Sequence, residues 1–224
     1  MRLVLLGPPG AGKGTQAVHI ARAYGVPRVA TGDIFRLNVS TGTPLGEQAK
    51  LYMDRGDLVP DDIVIGMVTD RLEQADASSG FLLDGFPRTV PQAKALDSYL
   101  ASVNHPLDVV LRFNVPEEEI VRRIVRRRVC PVDDTVYHLD FAPPKVPGVC
   151  DLCGTALEHR RDDTEEVVLR RLEEYRAKTE QLEYFYWERG LLRDVESAGP
   201  VDEVTRRTMA VLSDLDGDAV EVTT

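Results

Sequence analysis

The stretch from Leu3 through Thr15 constrains this chain more than any other part of it. Leu3 to Leu6 is a short continuous apolar run, Gly7-Pro-Pro-Gly10-Ala-Gly12-Lys13-Gly14-Thr15 follows, and then Ala17, Ile20, Ala21 and Tyr24 recur at helical spacing. A strand, a glycine-rich loop with a lysine and a helix, in that order, is the setting a phosphate-binding loop requires. The glycines let successive backbone N–H groups turn inward, the helix start adds a favourable dipole, and Lys13 can reach terminal phosphates. A purely structural turn is the plainer alternative, and it leaves the lysine and its position unexplained. Gly14 stands where most such loops place the Ser or Thr that ligates magnesium, with Thr15 one place later. Magnesium would then be held by the nucleotide, water and a carboxylate elsewhere. Asp84, at the end of a predicted strand, is the candidate, with a turn or cap residue as the alternative.

Two more apolar strands are predicted. Phe81 to Leu83 ends in Asp84-Gly85, and Val109 to Val115 precedes a helix opening at Pro116 with Glu117 to Glu119 in its first turn. Alternation of strands and helices predicts an α/β fold, a parallel sheet flanked by helices on both faces. Two segments interrupt the alternation and read as insertions over the C-terminal edge of the sheet, where ligands bind in such folds. Thr31 to Val59 carries two short helical patterns, around Ile34 to Val39 and Leu45 to Met53, broken at Thr41-Gly42-Thr43-Pro44. Val129 to His159 is rich in turn residues and holds all three cysteines. Asp163 followed by Glu166 reads as a capping-box helix start, with a helical pattern running to about Trp187. The acidic tail, Asp214 to Thr224, is expected to be mobile.

At 224 residues one domain with small insertions is the expectation, and the apolar run at the start is too short for a signal peptide or a membrane span. A soluble, cytoplasmic protein is expected. With 37 Asp+Glu against 27 Lys+Arg and a formal net charge of -10, a general affinity for nucleic acid or anionic membrane is not expected. Any bound anion must meet a local basic cluster. Arg122, Arg123, Arg126, Arg127 and Arg128 form one, and a spacing of four sets Arg123 over Arg127 on a helix whose buried side is Ile120, Val121, Ile124 and Val125. Arg36, Arg88, Arg160 and Arg171 lie near the ends of the insertions. A solvated charge run is the ordinary reading, but guanidinium groups without matching local carboxylates suit a pair of polyanionic nucleotides. Transfer of a phosphoryl group between two such anions needs positioning and charge neutralisation rather than a nucleophile, and none of His19, His105, His138 and His159 sits in a context that would activate one.

From Met1 to about Leu212 the chain resembles a bacterial adenylate kinase of the long-lid type. GPPGAGKGTQ from Gly7, TGDIFR from Thr31, GDLVPD from Gly56, GFLLDGFPRTVPQA from Gly80, VYHLDFAPPK from Val136 and RRDDTEEVVLRRL from Arg160 carry the match. The resemblance implies a core of 1–30, 60–126 and 165–224, an AMP-binding arm of 31–59 and a lid of 127–164. It implies that Gly10, Ala11, Gly12, Lys13, Gly14 and Thr15 hold ATP phosphates, that Arg123 and Arg127 pack on adenine and contact phosphate, that Val136 and Tyr137 border ATP, and that the backbone of Gly199 faces adenine. It assigns the AMP side to Thr31, Arg36, Asp57, Leu58, Val59, Gly85, Phe86, Pro87, Arg88 and Gln92. Arg88, Arg160 and Arg171 would clamp the phosphates during transfer, with Lys13 and Arg127, and Asp84 would lie near magnesium. A small monomeric enzyme acting on ATP, AMP and ADP is implied.

The cysteines add a metal question. Cys130 and the pair Cys150 and Cys153 resemble the family's Cys-x₂-Cys…Cys-x₂-Cys lid site, with Asp133 at the second position. Three thiolates and a carboxylate suit a structural zinc. Asp134 and His138 are reserve ligands, and a metal-free lid held by polar side chains is the alternative. Two other functions stay open: a nucleoside monophosphate kinase with CMP, UMP or GMP as acceptor, and a zinc-containing nucleotide-sensing module. Base choice turns on hydrogen bonds around Thr31 and Gln92 that only the fold can place.

Overall fold

A computed structural model describes residues 1–53, 59–133, 135–159 and 163–221, the side chains of Arg36, Met53 and 216–221 excepted. Its apolar runs form strands β1 (Arg2–Leu6), β3 (Phe81–Asp84) and β4 (Val109–Asn114). Residues Leu3, Leu82, Leu83, Val110 and Leu111 are fully buried, as a sheet covered on both faces demands. The short strand β2 (Arg28–Ala30) and the strand β7 (Leu192–Glu196) complete a five-stranded sheet of order β2-β3-β1-β4-β7. Strand β1 pairs in parallel with β3, Leu3 opposite Leu82, and with β4, Leu3 opposite Val109. The α/β class with a parallel sheet is therefore present. Neither β2 nor β7 was expected from the pattern, because three residues and the mixed run Leu-Arg-Asp-Val-Glu carry no strand signal of their own.

Helices connect these strands: α1 (Lys13–Tyr24), α2 (Thr31–Thr41), α3 (Pro44–Met53), α4 (Asp61–Leu72), α5 (Val90–Ser102), α6 (Glu117–Val125), α7 (Glu165–Glu174), α8 (Gln181–Trp187) and α9 (Val201–Glu221). The broken pattern at 41–44 marks the join of α2 and α3. A two-stranded antiparallel ribbon of β5 (Arg127–Val129) and β6 (Val136–His138), with Val129 opposite Val136, opens the cysteine segment. No helix among the described residues is long and apolar enough to cross a membrane.

The chain divides into two compact units. One comprises 1–6, 17–112 and 176–193, and its core gathers Val4, Leu83, Phe86, Met67, Leu182 and Tyr186. The other comprises 7–16, 113–175 and 194–224; in it Ile120 and Ile124 of α6 pack with Val168 and Leu172 of α7, and Cys130, Tyr137 and Cys150 form a smaller cluster.

Four local expectations are corrected. Helix α6 stops at Val125, so Arg127 begins β5 instead of lying one turn beyond Arg123. Asp163 caps nothing: Thr164 is the N-cap of α7, without a side-chain bond, and Asp163 is drawn into the interior by Arg127. The helical run toward Trp187 is interrupted by a wider turn at Tyr175–Thr179, which leaves Thr179 buried with its hydroxyl donating to the Arg88 carbonyl. Finally, α9 carries the acidic tail as helix through Glu221, since extending an anchored helix needs one backbone bond per residue and no apolar face of its own.

Candidate functional site

The phosphate-loop residues lie between β1 and α1. Gly10 has φ +80, and a Cβ there would come within 2.8 Å of Ile124 Cγ1, so only glycine lets this turn close against α6. Ala11 is buried, and its backbone N–H donates to the Pro8 carbonyl at 3.2 Å. Lys13 Nζ donates to the carbonyls of Gly7 at 2.6 Å and Pro8 at 2.8 Å, which holds the ammonium across the loop it belongs to. Gly14 and Thr15 open α1, half-buried. His19 is exposed on the same helix, as an ordinary surface residue would be.

Ser197, a residue without a motif, ties this loop down. Its buried hydroxyl donates to the Ala11 carbonyl, its backbone N–H donates to the Asn114 carbonyl at 2.8 Å, and its carbonyl accepts from Arg123 at 2.8 Å. Arg207 holds the flanking carbonyls of Glu196 and Ala198 at 3.0 and 2.8 Å. The backbone leading to Gly199 is thus fixed by two guanidinium groups.

The arginines are not short of carboxylates, which corrects the sequence-based expectation. Arg123 pairs with Glu119, Arg126 with Asp140 at 2.7 Å, and Arg122 with the same Asp140 at 3.6 Å. Arg127 engages both oxygens of Asp163, a fully buried carboxylate, with Nε to Oδ2 at 2.8 Å. Arg128 instead donates to the carbonyls of Val125 and Arg127. These pairs pre-shape the guanidinium groups, and they mean that an incoming anion competes with carboxylates already in place. Arg171 lies half-buried in α7, while Arg160 falls outside the described residues.

The AMP-side candidates form a second group. Gly85, at φ +85, turns the chain after β3, and a Cβ on it would meet Thr31 Oγ1 at 2.8 Å and an Arg88 nitrogen at 3.3 Å. Its carbonyl accepts from the Thr31 hydroxyl at 3.2 Å and from Arg88 Nε at 2.8 Å. Phe86 is buried and joined to Pro87 by a cis peptide bond. Gln92 is 4% exposed, and its amide bonds to Asp61 and to the Arg88 backbone. Val59 is half-buried; Asp57, Leu58 and the Arg36 side chain lie outside the described residues. Asp84, at the end of β3, accepts from Arg28 at 2.8 Å, so a hydrated cation near it would share that carboxylate.

In the cysteine segment Cys130, Asp133, Cys150 and Cys153 bring four ligand atoms within 4.8 Å of one another. Cys130 Sγ and Cys153 Sγ are 3.3 Å apart, and Cys150 Sγ lies 3.2 Å from Asp133 Oδ2. Around zinc, with Zn–S of about 2.3 Å, tetrahedral sulfur ligands sit about 3.8 Å apart, so these two contacts would open by about half an ångström and the other pairs, all within 4.8 Å, would close by at most about one. Burial pushes the Cys130 thiol up to about 11. Burial also acts upward on Cys150, but hydrogen bonding from Tyr137 and from the backbone of Cys153 and Leu152 outweighs it and lowers the thiol. Hydrogen bonds from Thr135 hold Asp133 well below the usual carboxylate range. A bound cation would override the rise at Cys130, since coordination deprotonates a thiol outright. The reserve ligand His138 is turned elsewhere, its Nδ1 accepting from the backbone of Asp140 and Phe141, and Asp134 lies outside the described residues. Tyr137 is buried, with its hydroxyl against Cys150 and the Asp151 backbone, whereas Val136 is exposed.

A family model described as Adenylate kinase matches residues 5–191. The adenylate kinase of Streptomyces avermitilis is 54% identical over 213 residues, covering 95% of this chain and 97% of its own length. That of Acidothermus cellulolyticus is 55% identical over 212 residues (95% and 98%), and that of Thermodesulfovibrio yellowstonii is 50% identical over 212 (95% and 99%).

The chain belongs to the adenylate kinase family. Adenylate kinases are nucleoside monophosphate kinases, phosphotransferases acting on small nucleotide substrates with magnesium and ATP. Within this chain, Ser197 and Asp61 were missed by sequence reasoning. Ser197 lies outside any motif and Asp61 closes the GDLVPD segment without a role read from it, and the value of each arises from a partner far along the chain.

Proposed function

We propose that the chain catalyses reversible, magnesium-dependent transfer of a phosphoryl group from ATP to AMP, giving two ADP. The observation that carries the acceptor side is the Gly85 carbonyl, on which Thr31 and Arg88 converge although 54 residues separate Thr31 from Gly85. On the donor side the turn closed by Gly10, the Lys13 ammonium and the anchored Ser197–Gly199 backbone support ATP binding, with Arg123 against adenine and Val136 and Tyr137 at the border. Lys13 would exchange its bonds to Gly7 and Pro8 for phosphate oxygens. Arg88, Arg127, Arg160 and Arg171 would neutralise the transferring group, which is what phosphoryl transfer asks of a protein. Magnesium supplies charge neutralisation on the phosphates, and Asp84 would orient its water shell. Segment 31–59 is read as the AMP-binding arm, 127–164 as a lid that excludes competing water, and the remainder as the core.

Cys130, Asp133, Cys150 and Cys153 are read as the ligands of a structural zinc, four protein donors leaving no open position for substrate. A cytoplasmic monomer without nucleic-acid or membrane partners fits the acidic balance of the chain. A coupled assay of ATP with AMP, CMP, UMP and GMP in parallel tests the reading. ADP formation with AMP strongly preferred is expected; ATP hydrolysis without ADP formed from AMP would overturn it.

A further inference from the structure

Asp61, the first residue of α4, divides its carboxylate between two partners. Oδ1 accepts from Gln92 Nε2 at 2.7 Å, and Oδ2 accepts from the Thr89 hydroxyl at 2.8 Å. The far end of the same amide is also held, because Gln92 Oε1 accepts from the Arg88 backbone N–H at 2.7 Å. A carboxylate only accepts and a main-chain N–H only donates, so each partner independently dictates which end of the amide faces it. The amide cannot turn over without losing both bonds, one of them to a charged group. Thr89 reinforces the arrangement: as N-cap of α5 its oxygen accepts from the Gln92 backbone N–H at 3.3 Å while its proton goes to Asp61.

Beyond these two bonds the amide keeps one N–H and one oxygen lone pair, a donor and an acceptor side by side in set polarity. The edge of a 6-aminopurine offers the complement, an acceptor at N1 next to a donor at the amino group. A 6-oxopurine offers the reverse, N1–H next to a carbonyl oxygen. A freely turning amide would serve either base by flipping. We propose that Asp61 is a specificity-determining positioning residue, which locks the Gln92 amide so that the acceptor site takes a 6-aminopurine monophosphate and rejects a 6-oxopurine one. The inference rests on the reading of Gln92 as an acceptor-side residue.

The test compares kcat/KM for AMP with that for inosine monophosphate, which differs from AMP only in this edge. In Asp61→Ala the AMP-to-IMP ratio should fall roughly ten- to hundredfold, the scale of one hydrogen bond to a charged group, with the KM for ATP unchanged. Asp61→Asn, close in shape, should also lose the ratio, since its amide can offer Gln92 either an acceptor or a donor and no longer dictates the polarity. Thr89→Val, which removes the other bond to Asp61, should lower the melting temperature and leave the ratio in place. If Asp61→Ala does not fold, Asp61→Ser, a residue tolerated at a helix start and too short to reach Gln92, should show the same loss. A ratio equal to that of the unaltered protein in Asp61→Ala or Asp61→Ser overturns the inference, and so does a parallel loss with both acceptors. Failure of the unaltered protein to phosphorylate AMP overturns the functional reading itself, and this inference with it.

Discussion

Arg127 at the start of β5 holds both carboxylate oxygens of Asp163, a residue with no solvent exposure, across 36 positions of sequence. Removing Arg127 strands the fully buried Asp163 carboxylate in a low-dielectric setting, so Arg127→Met should destabilise the protein by roughly 3 kcal/mol. Chemical unfolding curves check this. The double replacement Arg127→Met with Asp163→Leu should recover most of the loss, because the cost lies in the unpaired charge and not in the missing attraction.

Arg88 is expected to act chiefly on the transition state, where its fork would bridge phosphates of both substrates. Arg88→Ala should lower kcat by at least about a hundredfold, as loss of one electrostatic donor does. Steady-state kinetics decide the point: a change confined to the KM for AMP would show that Arg88 only anchors the acceptor.

Ser197→Ala deletes the hydroxyl that secures the Ala11 carbonyl while keeping the backbone bonds to Asn114 and Arg123. At the typical value of one neutral hydrogen bond, about 1 kcal/mol, the KM for ATP should rise about fivefold with the KM for AMP unchanged. An equal rise for both substrates would point to general loosening instead.

Protein purified without chelator should carry zinc at about one equivalent, and a strong chelator should lower its melting temperature. Protons compete with the metal for thiolates, so this stabilisation should fade as pH falls, and Cys130→Ser should weaken it at every pH. Elemental analysis paired with melting curves measures both. Little zinc together with chelator-insensitive melting would leave the metal-free lid standing.

Tyr186 is fully buried, and its hydroxyl makes no hydrogen bond among the described residues. Burial, aided by the charge of Asp97, pushes its phenol above the ordinary range. The raised value contributes stability that is complete below the unfolded phenol value of about 10 and is lost as pH rises beyond it. Tyr186→Phe should therefore be neutral or stabilising by up to about 1 kcal/mol near pH 7, and its lead over the unaltered protein should grow on the alkaline side. Urea unfolding across that range is the measurement; a clear loss of stability at neutral pH would reveal a bond to the hydroxyl.

Features whose cause is local were legible without coordinates. Strands β1, β3 and β4, the glycine turn into α1 and the paired helices α2 and α3 follow from runs, breakers and spacing within about a dozen residues. The cysteine set was legible for the same reason, because metal geometry limits how ligands can be spaced. Partnerships across long loops were not. Asp163 read as a cap because capping is the local use of aspartate, and only packing of β5 near the start of α7 turned it toward Arg127, just as packing turned Arg126 and Arg122 toward Asp140; the pair of Arg123 with Glu119, by contrast, is an i,i+4 contact along α6 that spacing alone offers. Ser197 meets Ala11 across 186 positions, and Asp61 meets Gln92 across 31. Sequence alone indicated β1, β3, β4, the turn into α1 and the paired helices α2 and α3, since those choices rest on backbone sterics and periodic burial, whereas β2 and β7 owe their strand state to pairing. Tertiary structure alone decided which polar groups meet across long stretches of chain, since a hydrogen bond depends on distance in space and direction, and for distant partners neither is encoded by a residue's neighbours in the chain.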